Sequence, residues 1–97
     1  MKLRYTLPAL ADLDSILTYI AAASPQGAGR VQRRIQDVAD LLLAHPEIGI
    51  RTDDPDIRRL TTTPYPFLIF NEIAADEIVI HAIRHAAQDP GGMPGAR

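Results

Sequence analysis

"PFLIFNEIAADEIVIHAI", residues 66 to 83, decides the fold. It consists of two short runs rich in branched and aromatic residues, "PFLIFNEI" (66 to 73) and "EIVIHAI" (77 to 83), separated by "AAD". Runs of this length and composition on either side of a three-residue break predict an antiparallel hairpin. Within the first run Phe67 and Ile69 point to one face and Leu68 and Phe70 to the other, so the strand is apolar on both sides. A strand of that kind is buried on two faces. One face needs a layer of helix, and the other needs a loop, a tail or a partner chain.

Upstream, "DIRRLT" (56 to 61) is joined to the hairpin through "TTPY" and extends it to a three-strand meander. Before that, "HPEIGIRTDDPD" (45 to 56) holds two prolines, a glycine and three aspartates between 53 and 56, the composition of an exposed loop. Val31, Ile35, Val38 and Leu42 repeat at helical spacing, with Arg30, Arg33, Arg34, Asp37 and Asp40 off the stripe. They define an amphipathic helix ending near His45. An earlier helix, about 9 to 23, carries Leu10, Leu13, Leu17 and Ile20, and "SPQGAG" (24 to 29) turns one helix into the other. "KLRYTL" (2 to 7) alternates Leu3, Tyr5 and Leu7 against Lys2, Arg4 and Thr6 and reads as an opening strand ended by Pro8. The predicted class is α+β, an antiparallel sheet in the order β-α-α-β-β-β packed on an N-terminal helical hairpin. Residues 1 to 90 form a single domain, and "GGMPGAR" (91 to 97) forms a flexible tail.

Composition narrows the function. The chain has 97 residues, enough for one core. With no cysteine, neither a disulfide framework nor a thiolate metal site is available, and three histidines at 45, 81 and 85 do not make a metal site by spacing. Strand alternation would turn His81 and His85 to one face roughly 13 Å apart. No apolar run is long enough for a membrane span, and the N-terminus does not resemble a signal peptide, so a cytoplasmic protein is expected. The net charge is -2, whereas proteins that take their affinity from phosphates carry a basic excess. Direct sequence-specific nucleic-acid binding is not expected. Nine of the ten basic residues are arginine, which favours bidentate contacts with protein partners. No glycine-rich phosphate loop is present, and no cofactor is expected.

The helix ending in "AHPEIG" (44 to 49), the "RRL" of Arg58, Arg59 and Leu60, the "YP" of Tyr65 and Pro66, the "IF" of Ile69 and Phe70, and the closing "RH" and "DP" occur in a set order. In that order they resemble the RelE/ParE superfamily of toxins from type II toxin–antitoxin modules. The resemblance implies a small α+β toxin held inactive by a co-expressed antitoxin. RelE-like members cut messenger RNA on the ribosome, and ParE-like members poison DNA gyrase. Asn71 and Gln88 depart from the family, standing where members often show a tyrosine and a basic residue.

Cleaving RNA through its 2'-hydroxyl needs a base, an acid and cations on the phosphate. RelE-like enzymes resemble one another in drawing these from lysines, arginines, a late tyrosine, or a Glu with a His. Here Lys2 is the only lysine and no tyrosine follows Tyr65. The expected reading is therefore a ParE-like, non-catalytic inhibitor of gyrase, neutralised by a ParD-like ribbon-helix-helix antitoxin. Its target- or antitoxin-binding residues are Arg58, Arg59, Tyr65, Arg84 and His85. The alternatives are a ribosome-dependent mRNA endoribonuclease using Arg59, Arg84 and His85, with Glu72 orienting the histidine, and a degenerate toxin that only binds antitoxin. The plainest role for the arginines is pairing with Asp53, Asp54, Asp56 or Asp89. For His81 it is a satisfied, half-buried histidine.

Overall fold

A computed structural model describes residues 1–87. The elements are β1 (Lys2–Tyr5), α1 (Leu7–Ala23), α2 (Pro25–Ala44), β2 (Ile50–Arg51), β3 (Arg58–Thr62), β4 (Tyr65–Ala74) and β5 (Glu77–His85). The expected tail at 91–97, and Asp89 as a partner, lie outside the described residues.

The helices begin where the sequence supplies caps. Thr6 Oγ1 accepts from Ala9 N at 3.2 Å and, with Pro8 in the first turn, starts α1 two residues earlier than periodicity suggests. The expected six-residue turn between the helices shrinks to Ser24 alone. Its backbone N–H closes α1 on Ile20 O at 2.8 Å, while its Oγ accepts from Gly27 N at 2.9 Å and opens α2. A Cβ at position 27 would sit 3.0 Å from that hydroxyl, so glycine keeps the cap unobstructed. Gly27 and Gly29 are thus helical residues rather than punctuation.

The five strands form one sheet in the order β1-β5-β4-β3-β2. β3, β4 and β5 make the expected antiparallel meander. Two features depart from the expectation. β1 lies parallel to β5, pairing Leu3 with Ile78 and Tyr5 with Ile80, so the sheet is mixed instead of wholly antiparallel. The loop also contributes a two-residue strand, β2, paired to β3. The parallel pairing follows from topology, because the helical hairpin intervenes between β1 and its neighbour and can return the chain in the same direction.

The core lies between the helices and one sheet face. Val31, Ile35, Val38 and Leu42 of α2 meet Phe67, Ile69, Ile78, Ile80 and Ile83, with Leu13, Ile16, Leu17 and Ile20 of α1 packed alongside. Leu10, expected on this stripe, is 45% exposed. On the opposite face Leu68, Phe70 and Ala82 form a smaller cluster with Ile57 from the loop before β3, so a loop residue supplies part of the predicted second cover. Asn71 faces the helix side fully buried, and neither polar atom of its side chain has a hydrogen-bond partner among the described residues. Gly49 lies against it. A Cβ there would come within 2.9 Å of Arg58 Cβ and 3.4 Å of Asn71 Oδ1.

Candidate functional site

The register shifts where β4 meets β5. Phe70 pairs with Ala82 and Asn71 with Ile80, which leaves His81 as an extra residue in a β-bulge. The bulge reverses the phase of everything after it. His81 shares a face with Glu72, and its Nε2 lies 2.7 Å from Glu72 Oε1. His85 pairs with Phe67 and its ring meets that of Phe67 edge-on, with centroids 5.6 Å apart. Phe67 and Glu72 are five residues apart on an unbroken strand and face opposite ways, so the two histidines do too. The expectation of one shared face is corrected by the bulge. Glu72 accordingly partners His81, not His85.

His85 ends β5 exposed beside α1. Its Nδ1 accepts from Ala87 N at 3.0 Å, which makes Nε2 the proton-bearing nitrogen of the neutral ring. Arg84 finds its carboxylate in Asp12 of α1, not in the aspartates of the loop. The same Asp12 Oδ2 accepts from the backbone N–H of Ile83 at 3.0 Å. β1 stops at Tyr5, opposite Ile80, so among the described residues the outer edge of β5 beyond that point has no strand neighbour. The start of α1 takes over there: Thr6 N donates to Ile80 O at 3.0 Å, Thr6 Oγ1 donates to His81 O at 3.3 Å, and Asp12 satisfies Ile83. Asp12 was not legible as a functional position, because "ALADLD" reads only as the polar side of a helix.

The other predicted residues separate. Arg58 Nη1 donates to the carbonyls of Glu47 at 3.0 Å and Gly49 at 3.2 Å, pinning the loop that follows α2. Arg59 is exposed, pairs in register with Phe70, and so faces away from the helices, on the side that carries Glu72 and His81. No side-chain hydrogen bond or ion pair holds its guanidinium among the described residues. Tyr65 is half-buried against the helix-side core. Arg59, Arg84 and His85 therefore do not converge on one point: His85 lies on the helix side, Arg59 on the other, and Arg84 reaches the edge to Asp12. Among the described residues no group of three or more His, Cys, Asp or Glu side chains is placed to hold a metal, and no helix is long and apolar enough to cross a membrane.

A helical hairpin on a sheet whose middle is an antiparallel meander is the arrangement that the resemblance to the RelE/ParE superfamily implies. The model of the family described as "ParE toxin of type II toxin-antitoxin system, parDE" matches residues 3–90, and the chain belongs to that family. It is thus a type II toxin–antitoxin toxin of the ParE/RelE superfamily. Toxin RelE2 of Caulobacter vibrioides is 39% identical over 84 residues, covering 87% of this chain and 93% of that protein. Putative toxin Y4kP of Sinorhizobium fredii is 34% identical over 87 residues, 90% of each chain. Among solved structures, one titled as the chromosomal ParDE TA system from P. aeruginosa superposes with a TM-score of 0.73 at 28% identity. The match covers 88% of this chain and 95% of that one. The two chains therefore share a fold.

Proposed function

We propose that the chain is a ParE-like toxin that arrests DNA gyrase in the cytoplasm by binding it, without catalysing a reaction, and that a ParD-like antitoxin neutralises it. The observation that carries this reading is the dispersal of the candidate groups: Glu72 sits on the face opposite His85 and bonds His81, Arg59 lies on that far face too, and the neighbouring Arg84 is neutralised by Asp12. An acid-base pair with a cation for phosphate needs those groups within hydrogen-bond reach of one reacting centre. Binding has no such requirement, and an exposed histidine and arginines on two faces suit protein recognition. The match to the ParE family model supports the same branch.

A supercoiling assay with purified gyrase and toxin tests the proposal. Loss of supercoiling with accumulation of cleaved DNA is expected, and unaffected gyrase at a large molar excess of toxin would refute it.

The rival reading, ribosome-dependent RNA cleavage, is favoured by one observation. Glu72 and His81 are 2.7 Å apart, each about a third exposed, on the face that carries Arg59. Primer extension on translated messages separates the two. Discrete cuts that vanish in His81→Ala would establish the nuclease, and intact messages in growth-arrested cells favour gyrase.

A further inference from the structure

The sheet face away from the helices carries a hollow toward β2 and β3. Its volume is about 370 Å³, and Ile48, Ile50, Arg59, Thr61, Leu68 and Ala86 are among the residues that line it. Register explains why they meet. Ile50 pairs with Arg59, Arg59 with Phe70 and Thr61 with Leu68, so all of these share one face. Ile48 joins them from the loop after α2. The hollow lies at the small end of the range for binding sites, with room for the side chains of a partner.

One wall of the hollow is apolar, exposed and fixed in place. Ile48 is 39% exposed and Ile50 62%, in a stretch otherwise made of prolines, a glycine and polar or charged residues. A single exposed isoleucine needs no explanation, but these two are held where they stand. Arg58 Nη1 donates to the carbonyls of Glu47 and Gly49, on either side of Ile48, and β2 pairs Ile50 into the sheet. At Gly49 the backbone lies so close to β3 that a Cβ would come within 2.9 Å of Arg58 Cβ. A wall built in this way loses little freedom when a partner covers it, which favours binding.

Charge selects what fills it. Arg59 is the one charged residue on the described walls, is exposed, and has no bonded partner among the described residues. A carboxylate set against it gains a charge-assisted, bidentate contact, and a cation is repelled. Permanent complexes bury large, mostly apolar areas, whereas a small hollow around one arginine suits the shorter-lived contact of a toxin with its target. We propose that this hollow is where the toxin grips the protein it arrests. A segment of the target seats a bulky apolar side chain among Ile48, Ile50 and Leu68 and sets an aspartate or glutamate against Arg59. The inference rests on the reading of a toxin that acts by binding, and adds to it the surface used and the chemistry of the segment bound. It also parts the two arginines of "RRL": Arg58 holds the wall, and Arg59 makes the contact.

The test sets the full chain against purified gyrase and, in parallel, against the protein encoded by the adjacent gene. The variants are Arg59→Glu and Ile50→Ser, both at exposed positions and checked for folding by their urea midpoints, with Arg33→Ala on the outside of α2 as a control. Arg59→Glu should raise the toxin concentration that half-inhibits supercoiling about tenfold or more and Ile50→Ser about fivefold, with the control within about twofold. Added salt should weaken gyrase binding by the wild-type chain more than by Arg59→Glu. Affinity for the neighbouring protein should stay within about twofold throughout. If the wild-type chain leaves gyrase untouched, the proposed function fails and the inference falls with it. If the wild-type chain inhibits and both folded variants match it, that function stands and the hollow is overturned as its site. Loss of affinity for the neighbouring protein, alone or to the same degree as inhibition, would give the hollow to the antitoxin and overturn the inference too.

Discussion

Replacing Asp12 removes the contact that fastens α1 to the bare edge of β5. One oxygen accepts from Ile83 N at 3.0 Å and from the Arg84 guanidinium, and the two side chains are only 21% and 27% exposed. Exposed ion pairs contribute about 0 to 1 kcal/mol, but this pair is largely withdrawn from water. Asp12→Ala leaves a buried backbone N–H without an acceptor, at about 1–3 kcal/mol, and strands a mostly buried guanidinium. A loss of about 2–4 kcal/mol is expected. Asp12→Asn keeps an oxygen for Ile83 and forfeits the charge, so about 1–2 kcal/mol is expected. Urea denaturation of the two variants and of Arg84→Met, completed as a double-mutant cycle, measures the coupling directly. With a slope of about 1–1.5 kcal/mol/M for a domain of this size, the alanine variant should shift the midpoint by about 1.3–4 M. The decisive result is the order. If alanine costs under about 0.5 kcal/mol, or no more than asparagine, Asp12 is an ordinary surface residue and the edge of β5 is held by something else.

Three further outcomes are expected. Ala75 turns the β4–β5 hairpin at φ 53, the left-handed region that disfavours a Cβ, so Ala75→Gly should raise stability by about 0.5–1 kcal/mol in the same titration. Asn71 is fully buried with an amide that has no partner among the described residues, and Asn71→Val should stabilise by about 1 kcal/mol. Destabilisation instead would mean the amide is bonded in solution. The Tyr5 phenol is pushed above its ordinary value of 10.0, first by burial and then by the Asp40 carboxylate on α2. Because the fold holds that proton more tightly than the unfolded chain, the contribution is intact below pH 10 and is lost as pH rises through the folded value. Denaturation followed against pH should therefore show Tyr5→Phe losing less stability in alkali than the wild-type chain.

Local pattern carried most of the elements and few of their long-range relations. The meander was legible because 58 to 85 contains three short runs separated by short breaks, the last two apolar on both faces, and α2 because its stripe is regular. β2 was not, since two residues in a loop of prolines and aspartates leave no periodicity to read. The parallel seating of β1 against β5 joins residues about 75 apart, and no alternation within either strand reveals it. The site suffered most from one residue. The bulge at His81 inverts the facing of His85, and strand alternation has no means of announcing an inserted residue. Arg84 and His85 stand where an apolar strand ends, as its pattern implies. Asp12 and the exchange of Glu72 from His85 to His81 depend on that bulge and on where β1 ends, so they emerge only in three dimensions.

The pairing of β1 with β5 also bears on how the toxin is made. β1 leaves the ribosome before the other described strands and has as its sheet neighbour the last of them to leave it. While the chain is being synthesised, the helical hairpin has its own local contacts, but Leu3 and Tyr5 have no strand to join until Glu77–Ile80 emerges. A message broken, or a ribosome stalled, anywhere before that point yields a chain with an unpaired β1 and no completed core. Such a product is a substrate for proteases, so translation through β5 is itself a condition on folding.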